Sequence, residues 1–269
     1  MCGRYAASAH PDDLVEEFEV DADDTGGRVE PKYNTAPTDV APVVLSRPPR
    51  GEPDAPPVRQ LRMLRWGLVP SWSKDASGGA RMINARAESL FDKPAFRRTA
   101  LARRCLVPAD GWYEWQASPT ALDGKGKPRK QPFFVHRTDL PAGPDNQSLA
   151  FAGLYEFWKD KTLAEDDPNA WLVTYTIVTT AAEPGLDRLH PRMPVVLDQD
   201  RWARWLDPAV TDQGAVLELL KSPGPGRFAA YPVSTLVNAV RNDGPELLTP
   251  ATAGDLVGVV DPMTGEVIG

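Results

Sequence analysis

A cysteine at position 2 gains a chemistry that internal cysteines lack once the preceding Met1 is removed. Methionine aminopeptidase removes Met1 when the next residue is small, and cysteine qualifies. Cys2 would then carry a thiol and a free α-amine on one residue. Such an amine has an unperturbed pKa near 7.7–8.0, so an appreciable fraction is neutral at physiological pH. A neutral amine condenses with an aldehyde to a Schiff base, and the adjacent thiol closes onto it as a five-membered thiazolidine. Position alone also allows Cys2 to be an ordinary second residue, because reactivity depends on its surroundings.

Three further segments carry groups able to move protons or hold anions. In Trp112-Tyr113-Glu114-Trp115, a strand would set Trp112 and Glu114 on one face and Tyr113 and Trp115 on the other. A carboxylate among aromatics is partly desolvated, which raises its pKa towards that of a general acid or base. The competing reading is a glutamate at the rim of an aromatic strand. His190-Pro191-Arg192-Met193-Pro194 places a group that titrates near neutrality in a loop stiffened by two prolines, with Arg192 able to hold a phosphate. Ile83-Asn84-Ala85-Arg86-Ala87-Glu88 offers an amide donor and acceptor at Asn84 beside a cation at Arg86; by itself it reads as a solvated helix start.

The elements that must position these groups are mostly strands. Strands are expected at Val40–Leu45, Val58–Trp66, Arg104–Val107, Trp112–Trp115, Phe133–Arg137, Leu149–Phe157, Trp171–Thr179 and Phe228–Val233. Helices are expected at Asp12–Phe18, Ala87–Leu90, Ala95–Ala102, Gln199–Leu206 and Gly214–Lys221, and a basic loop at Ala117–Lys130. The regular strand–helix alternation of a parallel sheet is absent. The expectation is one α+β domain with a mostly antiparallel, barrel-like mixed sheet flanked by helices.

Composition narrows the field. The 269 residues carry a formal net charge of -7, which argues against nonspecific coating of nucleic acid. The charge is uneven: nine acids stand against Arg28 in residues 12–30, and seven bases stand against Glu88 and Asp92 in residues 81–104. The second run is either a solvated face or a local phosphate-binding patch. Two cysteines and three scattered histidines give no metal-ligand spacing, so neither metal nor organic cofactor is expected. No apolar run reaches the roughly 20 residues of a membrane span, and no secretory signal opens the chain, so a cytoplasmic protein is expected.

The quoted motifs, joined by Met1–Tyr5, Tyr33-Asn34-Thr35-Ala36-Pro37, Trp66–Trp72 and Arg103–Trp115, together resemble the SOS response-associated peptidase family of abasic-site-processing proteins. The resemblance runs from Cys2 to about Pro250, and so implies a domain over residues 2–250 followed by a tail at 251–269. It implies a DNA-damage protein that captures abasic sites in single-stranded DNA as a covalent thiazolidine crosslink at Cys2. Asn84 would orient the N-terminus and the sugar, Glu114 would assist proton transfer, and His190 would help open the sugar and reverse the crosslink. Arg4, Asn34, Pro37, Trp72, Arg86 and Arg192 would line the DNA groove, with Trp72 as wedge or stacking platform. The resemblance implies a monomer, bound to the nucleoid when on DNA, with lyase-type activity and a peptidase activity that could remove Met1 autoproteolytically, a route the sequence does not separate from removal by an aminopeptidase. Ser73 follows Trp72 where some relatives have a second tryptophan, so stacking would be weaker. The alternative is an N-terminal-nucleophile peptidase or amidohydrolase acting through Cys2. Met-Cys-Gly also opens class II glutamine amidotransferases, but their downstream Asn-Gly occurs nowhere in this chain. A plain DNA-binding module would need no cysteine at position 2.

Overall fold

The computed structural model describes residues 2–138, 147–252, 254, 256 and 258–268. Thirteen strands are formed among them: β1 (Tyr5–Ala7), β2 (Ala22–Asp23), β3 (Lys32–Thr35), β4 (Val40–Arg47), β5 (Val58–Trp66), β6 (Asn84–Arg86), β7 (Arg104–Ala109), β8 (Gly111–Leu122), β9 (Pro128–Arg137), β10 (Leu149–Lys159), β11 (Trp171–Ala181), β12 (Arg192–Pro194) and β13 (Phe228–Pro232). Four helices join them: α1 (Pro11–Glu17), α2 (Pro94–Ala102), α3 (Gln199–Leu206) and α4 (Gln213–Leu219). The fold is α+β, as the strand-rich centre and helical flanks of the sequence imply.

Five strands close a barrel. β4 pairs antiparallel with β5 and β7, β7 with β10, and β10 with β11, while β11 returns to β5 in parallel through Thr174–Arg65 and Tyr175–Trp66. Closure leaves none of these five strands with an open edge along the ring. A second, wholly antiparallel sheet runs β13-β9-β8-β1-β3.

Period-two alternation divides the barrel residues between two cores. Val43 and Leu45 of β4, Cys105 and Val107 of β7, Phe151 and Tyr155 of β10, and Tyr175 and Ile177 of β11 pack with Tyr5, Trp112, Phe133 and Phe228 of the second sheet. Their neighbours Val44, Leu106, Ala150, Ala152, Leu154 and Val178 face outward against the helices. There Leu14 and Phe18, Phe96 and Ala100, Trp202 and Trp205, and Val216 and Leu219 cover them. The helices start where the sequence allows it: proline opens α1 and α2, and Asp212 caps α4 by accepting from Ala215 N at 2.8 Å. Trp205 is fully buried and donates Nε1–H to the Cys105 carbonyl at 2.8 Å, so replacing it with alanine would cost about 3–5 kcal/mol.

The structure corrects three local expectations. Residues 117–130 are not a basic loop: β8 and β9 continue as a hairpin to a tight turn at 123–127, where Asp123 accepts from the Lys125 and Lys127 amides and Gly126 takes a φ of 72°. Ala87–Leu90 is a single 3-10 turn over Ala87–Ser89, too short to nucleate an α-helix. Asn84 does not start a helix but sits on β6, in parallel register with Ile177. Beyond residue 250 the chain packs back onto the domain. Leu256 and Val259 enter the inter-sheet core, and Gln116 on β8 exchanges hydrogen bonds with Val260 at 2.7 and 2.9 Å.

Candidate active site

The site is organised by the pairing of β1 with β8. Tyr5 stands opposite Trp112, and the Tyr113 N–H donates to the Arg4 carbonyl at 2.9 Å. Continued two residues outward, this register brings Gly3 opposite Glu114, so the segment carrying Cys2 lies along the carboxylate. β6, held on β11, supplies the other wall. Asn84 Nδ2 donates to the Cys2 carbonyl oxygen at 2.8 Å. Asn84 Oδ1 is buried and has no hydrogen-bond partner among the described residues.

Cys2 is wholly buried. Burial pushes its thiol well above the ordinary range, and the Glu114 charge adds to the rise; the N-terminal ammonium and the Arg4 amide act in the opposite direction. The sulfur is therefore a thiol, not a standing thiolate. Glu114 is 6% exposed, which rejects the rim reading, and burial raises its pKa to about 7 against the pull of the N-terminal ammonium. Its two protonation states are both populated near neutrality, as acid–base work requires.

His190 lies between a 3-10 turn at Leu186–Arg188 and β12, which pairs with the end of β11. His190 Nδ1 lies 3.0 Å from the Arg192 amide nitrogen and 3.2 Å from the Arg192 carbonyl oxygen, so the Arg192 backbone offers this ring nitrogen both a donor and an acceptor, and its tautomer decides which is used. Burial lowers the His190 pKa, and the N-terminal ammonium lowers it further. Cys2, Glu114 and His190 thus all respond to the charge at the N-terminus, and Asn84 is bonded to the same segment.

The residues expected along a DNA groove fall into two groups. Trp72 is 69% exposed, Arg86 is exposed and Pro37 is half-buried in a turn closed by Asp39 N–H to the Ala36 carbonyl. That turn is pinned to the barrel by Thr38 N–H donating to the Trp66 carbonyl at 2.9 Å. The Trp72 loop is anchored by its backbone: Trp158 Nε1 donates to the Ser73 carbonyl at 2.8 Å. Gly67, at a φ of 114°, lets the Gly79 backbone approach so closely that a Cβ would stand 2.6 Å from its oxygen.

Three expected groove residues are instead engaged internally. Asn34 is completely buried, and its amide nitrogen donates to the carbonyls of Val237, Ala239 and Asn242. Its Oδ1 accepts from Arg4 Nη1 at 2.7 Å, and the same nitrogen donates to the Val237 carbonyl at 2.8 Å. Asn34 thus reaches no surface groove; it fixes Arg4, which in turn stands over the Trp115 ring. Arg192 grips Glu88 with two hydrogen bonds of 2.7 and 2.8 Å and donates to the Thr179 carbonyl.

Two contributors were present in the motifs but not singled out by their chemistry. Tyr5 is fully buried with its hydroxyl 2.6 Å from that of Tyr175, and Glu88 holds Arg192. The basic run at 81–104 is dispersed: Arg86 lies beside Asn84, whereas Arg104 is buried and donates to four backbone carbonyls. Among the described residues no cluster of three His, Cys, Asp or Glu is placed to hold a metal. No helix among the described residues is long and apolar enough to cross a membrane.

Comparison with known proteins gives a consistent picture. The chain is 37% identical over 248 residues to abasic site processing protein YoqW of Bacillus subtilis, covering 92% of this chain and 99% of that one. It is 35% identical over 245 residues to abasic site processing protein HMCES of Gallus gallus, covering 85% and 68% respectively. Its fold matches a crystal structure from Bacteroides thetaiotaomicron with a TM-score of 0.73 at 22% identity, over 93% of this chain and 100% of the other. The model of the SOS response associated peptidase family matches residues 1–240. The chain belongs to the SOS response associated peptidase family.

Proposed function

We propose that this protein captures abasic sites in single-stranded DNA by forming a thiazolidine with Cys2 after Met1 is removed. The observation that carries the reading is the bond from Asn84 to the Cys2 carbonyl beside the buried Glu114. That anchor uses the carbonyl of Cys2, so it survives loss of Met1. The unpartnered Asn84 Oδ1 then offers an acceptor for the new amine.

An abasic sugar is an aldehyde in equilibrium with its closed hemiacetal. The neutral α-amine adds to the open aldehyde, a carbinolamine forms, and loss of water leaves the imine. The thiol adds across the carbon–nitrogen bond, its proton ending on nitrogen, so the balanced outcome is one thiazolidine and one water. A buried thiol with a raised pKa suits this order, amine first and sulfur second. Glu114 carries protons between amine, hydroxyl leaving group and sulfur. His190 assists ring opening of the sugar. The product has no free aldehyde and so no route to strand breakage by β-elimination. Removal of Met1 within the same site is part of the proposal, and so is the exposed face of Trp72 and Arg86 as the path of the strand.

Denaturing gels and intact-mass measurement with abasic single-stranded DNA test the reading. The expected species has the mass of the Met1-less chain plus the oligonucleotide less one water. Cys2→Ala should give no stable adduct and Cys2→Ser at most a reversible one. A denaturation-stable adduct from Cys2→Ala at wild-type yield would overturn the proposal.

A further inference from the structure

The barrel interior changes character along its length. Beside Tyr5 its inward positions are aromatic and aliphatic: Leu64 and Trp66 on β5, Val107 on β7, Phe151 on β10 and Ile177 on β11. Towards the other mouth the same alternation reaches arginines. Arg47 lies two residues beyond Leu45 on β4, Arg62 stands opposite the inward-facing Val43, and Arg103 lies two residues before Cys105. The Tyr155 N–H donates to the Arg103 carbonyl at 2.9 Å, extending the β7–β10 pairing to this point. Three strands thus bring guanidinium groups to one mouth.

Arg47 and Arg103 pack on one ring, and Arg62, half-buried, lies close enough to Arg47 to feel its charge. The Arg47 and Arg103 guanidinium carbons lie 4.9 and 5.5 Å from the centre of the same Phe157 ring. Burial lowers the pKa of Arg62, and Arg47 and Arg50 lower it further. Burial likewise lowers that of Arg103, with Arg98 and Arg47 adding to it. Two acids are near: Glu156 pairs with Arg103, and Asp24 acts on Arg62 from a distance. Neither Arg47 nor Arg62 has a side-chain hydrogen bond or ion pair among the described residues. A chain with a net charge of -7 concentrates like charges here at the cost of mutual repulsion, with planar forks suited to an oxyanion.

We propose that this mouth of the barrel is a phosphate-binding site in which Arg47, Arg62 and Arg103 share the oxygens of one phosphate group. The phosphate arrives either on a phosphodiester chain or as a small phosphate compound; the guanidinium chemistry is common to both. The site is separate from the Cys2 segment and stands or falls independently of aldehyde capture.

Thermal unfolding in pyrophosphate, against sodium chloride of equal ionic strength, tests it on the full chain. Pyrophosphate should raise the unfolding midpoint of the wild type and of Lys125→Gln, a change in the distant hairpin turn. The Arg47→Gln/Arg62→Gln double variant should bind about tenfold more weakly per guanidinium lost, about one charge-assisted hydrogen bond each. Arg62→Gln alone gives the same reading should the double variant not fold. Salt titration with undamaged single-stranded DNA separates the two sources. A phosphodiester ligand lowers the slope of log affinity against log salt by about 0.7 per contact removed. A small phosphate compound leaves that slope unchanged while the pyrophosphate effect is lost. A midpoint rise matched by chloride, or retained in the variants, overturns the proposal.

Discussion

Asn84 and Cys2, 82 positions apart in sequence, are joined by a 2.8 Å hydrogen bond from the Asn84 amide to the Cys2 carbonyl. The bond links the segment ahead of β1 to a strand carried by the barrel. Asn84→Ala removes the donor and leaves the carbonyl to find water. Loss of such a bond costs about 1 kcal/mol in stability. Its larger expected effect is on geometry: crosslinking to abasic DNA should slow by about 10²-fold, the usual consequence of a misplaced reacting group. Single-turnover time courses at saturating DNA check this; an unchanged rate would leave Asn84 a structural contact alone.

Glu114 and His190 should separate by direction. With its pKa at about 7, Glu114 loses its proton across neutrality, so the step in which it accepts a proton should quicken as pH rises from 6 to 8. Glu114→Gln should slow adduct formation by about 10²–10⁴-fold and flatten that rise. His190→Ala should impair transfer of the crosslink to competitor abasic DNA at least as much as its formation. Affinity for undamaged DNA should hold in both variants. Rates matching the wild type in both directions would remove these residues from the chemistry.

The Glu88 carboxylate occupies the fork of Arg192, and any phosphate approaching Arg192 must displace it. Glu88→Gln should therefore strengthen noncovalent binding of single-stranded DNA. The pair is partly exposed, so the gain should be about 1 kcal/mol or less, at most about fivefold. Fluorescence anisotropy at two salt concentrations is sufficient, and weaker binding by Glu88→Gln would refute the idea.

Two other carboxyls give the protein a pH-dependent stability. Burial raises Glu17 to about 7, although it accepts the Ser148 amide, and raises Asp110 to about 6, although it accepts from Ser8. In the unfolded chain both ionise near pH 4. Between pH 4 and 7 the folded state holds more protons, so stability falls as pH rises through that window. Urea midpoints should be higher at pH 5.5 than at pH 8, and the difference should shrink in Glu17→Gln and Asp110→Asn. Equal midpoints in the wild type would exclude this.

How far the sequence revealed this molecule depended on length and locality. The barrel strands β4, β5, β7, β10 and β11 were legible because each runs six residues or more with a buried face. β1, β3, β6 and β12 span three or four residues, too few for an alternation to register, and pairing with distant strands makes them. The 117–130 hairpin misled because its arms extend past the core, so composition reported solvent and not backbone pairing. Cys2, Asn84, Glu114 and His190 stood out through their motifs. The grip of Glu88 on Arg192, 104 residues away, left no local trace, and neither did the burial of Asn34.

The place of β1 has a further consequence, for the order of assembly. β1 lies between β3 and β8, and Tyr5 meets a hydroxyl from Tyr175. During synthesis these residues leave the ribosome long before β8 and Tyr175 exist. β3 begins at Lys32 and can pair early, but β8 begins only at Gly111, and Tyr175 follows after more than half the chain. Contacts so distant in sequence close slowly, so the segment bearing Cys2 should be among the last pieces to lock, and the thiol should stay open to reagents in a refolding chain after the barrel has formed.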